Sequence, residues 1–209
     1  SESGYKKEKI IVIHNGIDVQ TSLIHHKKSN PINILSVGRF VEEKDYMTAI
    51  RAIEKLLNIA TTSNISLHYY ILGYGNLHET ILKFINQLGL NNKISLLDGR
   101  IDLSEYYQKA NIYLSTSRHE GMSNTIMEAM TYSLPVVSTN SGDSSYLIEN
   151  EFNGFICDVG DYNTIAQRLS LLIYSENFRT RMGENSYIKI RKEFSIEKII
   201  SDYDKLIYL

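Results

Sequence analysis

Short runs of Ile, Val, Leu and Tyr alternate along the chain with longer stretches in which apolar residues recur every three or four positions. The short runs are Ile10–Ile13, Ile32–Val37, Leu67–Leu72, Ile94–Leu97, Ile112–Leu114, Pro135–Ser138 and Phe155–Cys157, and several end at Gly or Asn. Unbroken apolar runs of this length are the pattern of strands buried on both faces. Between them Tyr46, Ile50, Ile53, Leu57 and Ala60 step by four, three, four and three, which marks one face of a helix. Ile165, Leu169 and Leu172, and then Ile196, Ile199, Tyr203 and Leu206, repeat the device. Alternating strands and helices predict a doubly wound α/β domain, a parallel Rossmann-like sheet covered by helices, with the last third of the chain mostly helical. In such a sheet ligands bind in the loops that leave the carboxyl ends of the strands.

Composition narrows the classes. The chain has 209 residues, 43% hydrophobic and 22% charged, and a formal net charge of −2. That balance gives no overall attraction to nucleic acid or anionic membrane. Cys157 is a lone cysteine in an apolar run, so no internal disulfide exists and the residue reads as a small buried hydrophobe. No apolar run approaches the roughly 20 residues that span a bilayer. The N-terminus is too polar for a secretory signal, so the expectation is a cytoplasmic protein. The sequon at Asn64-Ile65-Ser66 is then a chance match. The six histidines, His14, His25, His26, His68, His78 and His119, form no spaced ligand set with carboxylates or Cys157, so no metal site is expected.

Four loops follow predicted strands. After Val37 come Gly38, Arg39 and, five residues on, Lys44, with a helix opening at Asp45. Glycine permits a sharp turn or close ligand approach, and a guanidinium fork, an ammonium and a helix N-terminus all suit a phosphate. Spacing alone weighs rather toward a solvated cluster in which Arg39 and Lys44 pair with Glu42, Glu43 or Asp45. The loop Gly73-Tyr74-Gly75 lacks a third glycine and reads as a tight turn as readily as a binding loop. Arg100 and Ile101 leave the next strand, where an arginine is more often simply at the surface. The fourth loop opens Ser117-Arg118-His119 and carries Glu120, Gly121, Met122, Ser123, Asn124, Thr125 and, within the first turns of the following helix, Glu128. A carboxylate accepts two hydroxyls at once, as sugar recognition requires. Thr125-x-x-Glu128 also has the form of a capping box, and spacing leaves both readings of Glu128 open.

Taken together, these loops resemble one family. Arg39-x4-Lys44 after a strand, with Glu120-x7-Glu128 later, looks like the donor-binding half of a GT-B glycosyltransferase of the large bacterial retaining group known as family 4 or group 1. Asn15-Gly16-Ile17-Asp18, Ala129-Met130 before Pro135-Val136-Val137, and Gly142 in the loop after that strand match the same family. The resemblance covers roughly Ile10 to the end. It implies that Arg39 and Lys44 bind the diphosphate of a nucleotide sugar and stabilise it as it leaves, acting with Glu120 as the catalytic set. Glu120 would hold the donor sugar, Glu128 the ribose, and backbone groups from Gly121 to Asn124 the sugar and phosphates. Gly38, Gly73 and Thr125 complete the donor loops, and Arg100–Ile101 would meet the base. The donor would be a UDP-sugar before a GDP-sugar, with no metal and no cofactor.

The resemblance also implies what lies elsewhere. Residues 1–9 would be linker, residues 10–209 the donor domain, and an acceptor-binding domain for a sugar or glycolipid would lie outside this chain. The final helix, about Ser195–Leu209, would turn toward that domain and leave its apolar face partly uncovered. There is room for peripheral association of the full-length enzyme with the inner face of the membrane. Three positions depart from the family pattern: Asp45 and Ser133 stand where glycine is common, and Tyr74 where an acidic residue is common. Two other readings share the same ligand chemistry, a sugar-nucleotide epimerase of this fold and a non-catalytic nucleotide-sugar binding module.

Overall fold

The computed structural model describes residues 11–26, 29–60 and 65–207. Six strands form one sheet: β1 (Ile32–Val37), β2 (Leu67–Gly73), β3 (Ile94–Asp98), β4 (Ile112–Ser115), β5 (Val136–Thr139) and β6 (Gly154–Cys157). Their spatial order is β3-β2-β1-β4-β5-β6, and every pairing is parallel. The chain runs outward from β1 to β3, then returns to the other side of β1 and runs outward again to β6. The order therefore reverses between β1 and β4, and a crevice opens there at the strands' carboxyl ends.

Eight α-helices cover the sheet: α1 (Tyr46–Ala60), α2 (His78–Gln87), α3 (Ser104–Lys109), α4 (Asn124–Thr131), α5 (Ser144–Leu147), α6 (Tyr162–Tyr174), α7 (Glu176–Glu193) and α8 (Ile196–Ile207). Alternate strand residues feed two cores. Ile34, Tyr69, Ile71, Leu114 and Val137 pack with α1, α2 and α6 on one face. Leu35, Val37, Tyr113 and Val136 pack with α3, α4 and α7 on the other. Burying both faces requires strands that are apolar throughout, which is why the runs read so clearly. In α1 the buried stripe is Ile50, Ile53, Leu56 and Ala60, with Leu57 at its margin.

Two expectations change. Of the predicted first strand, residues 11–13 are described and form none; Ile11 and Val12 are exposed. Both sheet edges lie elsewhere, and the segment is held instead through Ile17, whose N–H donates to Phe194 O (2.9 Å) and whose carbonyl accepts from Ile196 N (3.1 Å). The helix after β1 opens one residue late: a 3-10 turn, Glu42–Lys44, precedes Asp45, and α1 starts at Tyr46. No residue of α8 is buried, and Ile196, Ile200 and Tyr203 are exposed. Residues 1–9 and Asn64 lie outside the described residues. Among the described residues no helix is long and apolar enough to cross a membrane.

Candidate functional site at the β1/β4 crevice

The loops after β1, β2 and β3 stack through glycine. Gly38 N donates to Leu72 O (3.0 Å), Phe40 N to Tyr74 O (2.7 Å) and Gly99 N to Gly73 O (2.9 Å). A Cβ on Gly73 would sit 1.9 Å from Gly38 O, and one on Gly75, at φ +149°, 2.6 Å from Phe40 O. Backbones this close admit no side chain. The glycines of the Gly73–Gly75 loop thus hold the β1 loop in place, a role spacing alone did not distinguish from ligand binding.

Between the ends of β1 and β4 lies a narrow cleft lined by Val37, Lys44, Tyr46, Tyr113, Ser115 and Ser117. Lys44 Nζ is paired there with Glu120 Oε1, and Ser117 Oγ donates to the same oxygen (2.8 Å). The two side chains are only 18% and 14% exposed. Arg39, two residues past the end of β1, is exposed, with no ion pair or side-chain hydrogen bond among the described residues. The solvated cluster that spacing favoured does not form: Lys44 reaches across to the β4 loop, and Asp45 pairs with Arg118 Nε (2.9 Å).

Glu128 is bound otherwise. Its Oε2 accepts from Tyr107 Oη (2.7 Å), and the Tyr107 ring stacks on Tyr132, centroids 5.2 Å apart. Ser123 is the N-cap of α4, so Thr125 lies inside the helix and Glu128 too far along to close it. The capping box is therefore absent. No side-chain cap bond satisfies the helix start, which leaves its first N–H groups facing outward from the loop. Burial, with Glu128 and Glu120 adding to it, pushes the Tyr113 phenol well above its ordinary range, and the neutral hydroxyl donates to Val37 O (3.3 Å). Burial does the same to Tyr107.

The remaining loop residues divide. Gly121 and Asn124 are exposed, Met122 and Thr125 half-buried, and Ser123 buried. Gly142, at φ +53°, lies where a Cβ would come 1.9 Å from Glu120 O, so the loop after β5 supports Glu120 from below. Arg100 is folded back onto Asp98 (Nε–Oδ1 2.9 Å, Nη2–Oδ2 2.5 Å) beside the Tyr74 ring, while Ile101 is exposed. Sequence reasoning missed Tyr107 and Tyr113 as parts of this site, and placed Ser117 and Arg118 in the fourth loop without giving either a role. Tyr107 had a signal, being an aromatic with a hydroxyl on the helix after β3. Among the described residues no group of three or more His, Cys, Asp or Glu is arranged to hold a metal.

A sequence model of "Glycosyl transferases group 1" matches residues 21–189. The chain belongs to the group 1 glycosyl transferases. Family relatives include the lipopolysaccharide core biosynthesis glycosyltransferase LpsE of Rhizobium meliloti, 26% identical over 99% of this chain and 60% of the relative. Another is the Campylobacter jejuni N-acetylgalactosamine-N,N'-diacetylbacillosaminyl-diphospho-undecaprenol 4-alpha-N-acetylgalactosaminyltransferase, 30% identical over 93% of this chain and 52% of the relative. This group 1 chain thus spans little more than half the length of these proteins. Its fold is shared with the lipopolysaccharide outer core galactosyltransferase WaaB, at a TM-score of 0.82 and 19% identity over 98% of this chain and 57% of that one. It is also shared with Anabaena HepE solved with UDP and glucose, at a TM-score of 0.81 and 20% identity over 99% of this chain and 59% of that one.

Proposed function

We propose that this chain is the donor-binding half of a retaining glycosyltransferase that uses a nucleotide-diphosphate sugar, UDP-linked before GDP-linked, without a metal. One observation carries the reading: Lys44, Glu120 and the uncapped start of α4 meet in the β1/β4 crevice, with exposed Arg39 leaving the end of β1. Two cations and a helix N-terminus neutralise a diphosphate most strongly as it leaves, when its charge is greatest, and this is electrostatic stabilisation of the transition state. Glu120 then accepts from hydroxyls of the donor sugar. Glu128, oriented by Tyr107, accepts from the ribose. Backbone groups of Gly121 to Asn124 cradle the sugar and phosphates, and the Arg100–Ile101 loop borders the base.

The same reading places the acceptor, a sugar or glycolipid, on a second domain outside residues 10–209, with residues 1–9 as linker. Polysaccharide or glycolipid synthesis is the setting that agrees with the relatives' names, and this reading puts it on the cytoplasmic side of a membrane. The solved neighbours that hold UDP support a uridine donor. Titration calorimetry of this chain with UDP and GDP in excess EDTA tests the site. Saturable UDP binding that is tighter than GDP binding and lost in an Arg39→Ala/Lys44→Ala variant is expected. Binding that survives those two substitutions would remove the phosphate assignment. NMR of the anomeric proton in the first-formed product of the full-length enzyme tests retention.

A further inference from the structure

The loops that carry Lys44 and Glu120 leave different strands, yet they are laced together. Arg118 N donates to Glu43 O (2.7 Å), and Thr116 Oγ1 lies 3.0 Å from both Lys44 O and Asp45 O. Lys44 pairs with Glu120, and Asp45 Oδ2 accepts from Arg118 Nε at 2.9 Å. Asp45 stands at φ +45°, a conformation that Asp and Asn tolerate better than most residues. Its carboxylate is buried and also accepts from Thr48 N (3.3 Å) and Thr48 Oγ1 (2.9 Å), which caps α1. A buried carboxylate needs such partners, and Arg118, more than half exposed, is the cationic one.

We infer that Asp45 and Arg118 are positioning residues that clasp the two loops so that Lys44 and Glu120 keep their places when a nucleotide diphosphate enters. The inference rests on the donor-site reading above. Asp45 follows Lys44 directly, and Arg118 precedes Glu120 by two residues, so each half of the clasp adjoins one half of the inner pair. The inner pair itself also ties the loops. Once Lys44 turns to a phosphate and Glu120 to a hydroxyl, that tie is gone. The Asp45–Arg118 pair lies outside the exchange and maintains the register.

The test is calorimetric titration of the chain with UDP, comparing wild type, Arg118→Gln, Asp45→Asn and the double variant. Each is held below its own melting midpoint, measured separately by circular dichroism. Asparagine keeps the left-handed backbone and an oxygen for Thr48 while discarding the charge. A half-exposed ion pair couples weakly, so each single variant is expected to bind UDP about three- to fivefold less tightly. The double variant is expected to lose no more than either single one. If Arg118 instead touched the phosphates itself, Asp45→Asn would free it and tighten binding, which overturns the clasp. Unchanged UDP affinity in both single variants, with the wild type binding well, also overturns the clasp and leaves the donor reading intact. Absence of wild-type UDP binding overturns the donor reading, and the clasp with it.

Discussion

Lys44 and Glu120 neutralise each other in the crevice, while Arg39, exposed two residues past the end of β1, has no ion pair among the described residues. A cation that is to grip a phosphate is thus paired with an internal carboxylate, and a phosphate that binds it must replace that partner. A buried charge deprived of its partner is costly, so the two members are expected to respond differently to removal.

Lys44→Ala removes a phosphate ligand and strands Glu120, so UDP affinity should fall by about tenfold or more, the value of one charge-assisted bond. Glu120→Gln frees Lys44 and should leave UDP affinity equal or higher. The same variant should lose whatever extra affinity a UDP-sugar has over UDP. Calorimetry with UDP and UDP-glucose separates the two effects. Equal losses for both ligands in Glu120→Gln would show that Glu120 does not read the sugar.

Tyr107→Phe keeps the ring that stacks on Tyr132 and deletes only the hydroxyl that holds Glu128. The expected stability change is about 1 to 2 kcal/mol by thermal melt, with UDP affinity falling a few-fold as Glu128 loses its orientation. Unchanged UDP affinity in Tyr107→Phe would show that Glu128 does not hold the ribose through this contact.

How far these features could be read from sequence depends on range. The strands declared themselves as short apolar runs, as burial of both faces of the central ones demands, and α1, α6 and α8 because apolar residues recur at helical spacing. Helix α7 gave little sign, since its buried face includes Arg179, Gly183 and Ser186. Gly183 is there because a Cβ would meet Ser133 O at 2.1 Å, which hydrophobic periodicity cannot express. Of the run Ile10–Ile13, the described residues 11–13 have strand composition but form no strand. The chain positions of Arg39, Lys44, Glu120 and Glu128 were legible because each follows a strand end. Their partners were not, because Lys44–Glu120, Asp45–Arg118 and Tyr107–Glu128 join residues 76, 73 and 21 apart.

Two glycines with positive φ should respond unequally to alanine. Gly89, at φ +67°, faces open space, and Gly89→Ala should cost about 1 kcal/mol of backbone strain alone. Gly142→Ala adds a Cβ 1.9 Å from Glu120 O, so the loop bearing Glu120 must move. The expected loss is about 2 to 4 kcal/mol in a urea melt, together with weakened binding of UDP-sugar. Similar losses in the two variants would mean that the β5 loop does not support Glu120.

His26 sets a pH dependence whose sign can be worked out. Its ring Nε2 lies 2.7 Å from Tyr132 O at the end of α4. Burial, aided by Arg179 and His25 nearby, lowers its pKa from the ordinary 6.5, against the raising effect of the carbonyls of Tyr132 and Gln108. Above pH 6.5 the imidazole is neutral in both folded and unfolded chains, and its full contribution to stability is present. As pH falls through 6.5 the unfolded chain takes up a proton that the folded chain resists, so stability declines toward the lowered folded pKa and levels off below it. His68, lowered chiefly by burial, acts in the same direction. Urea melts between about pH 7.5 and 5 should therefore show falling stability, with a shallower slope in His26→Gln. An NMR titration should place the His26 midpoint below that of a free histidine. A midpoint at or above 6.5 would mean that the carbonyl contacts outweigh burial, and the slope attributed to His26 would reverse.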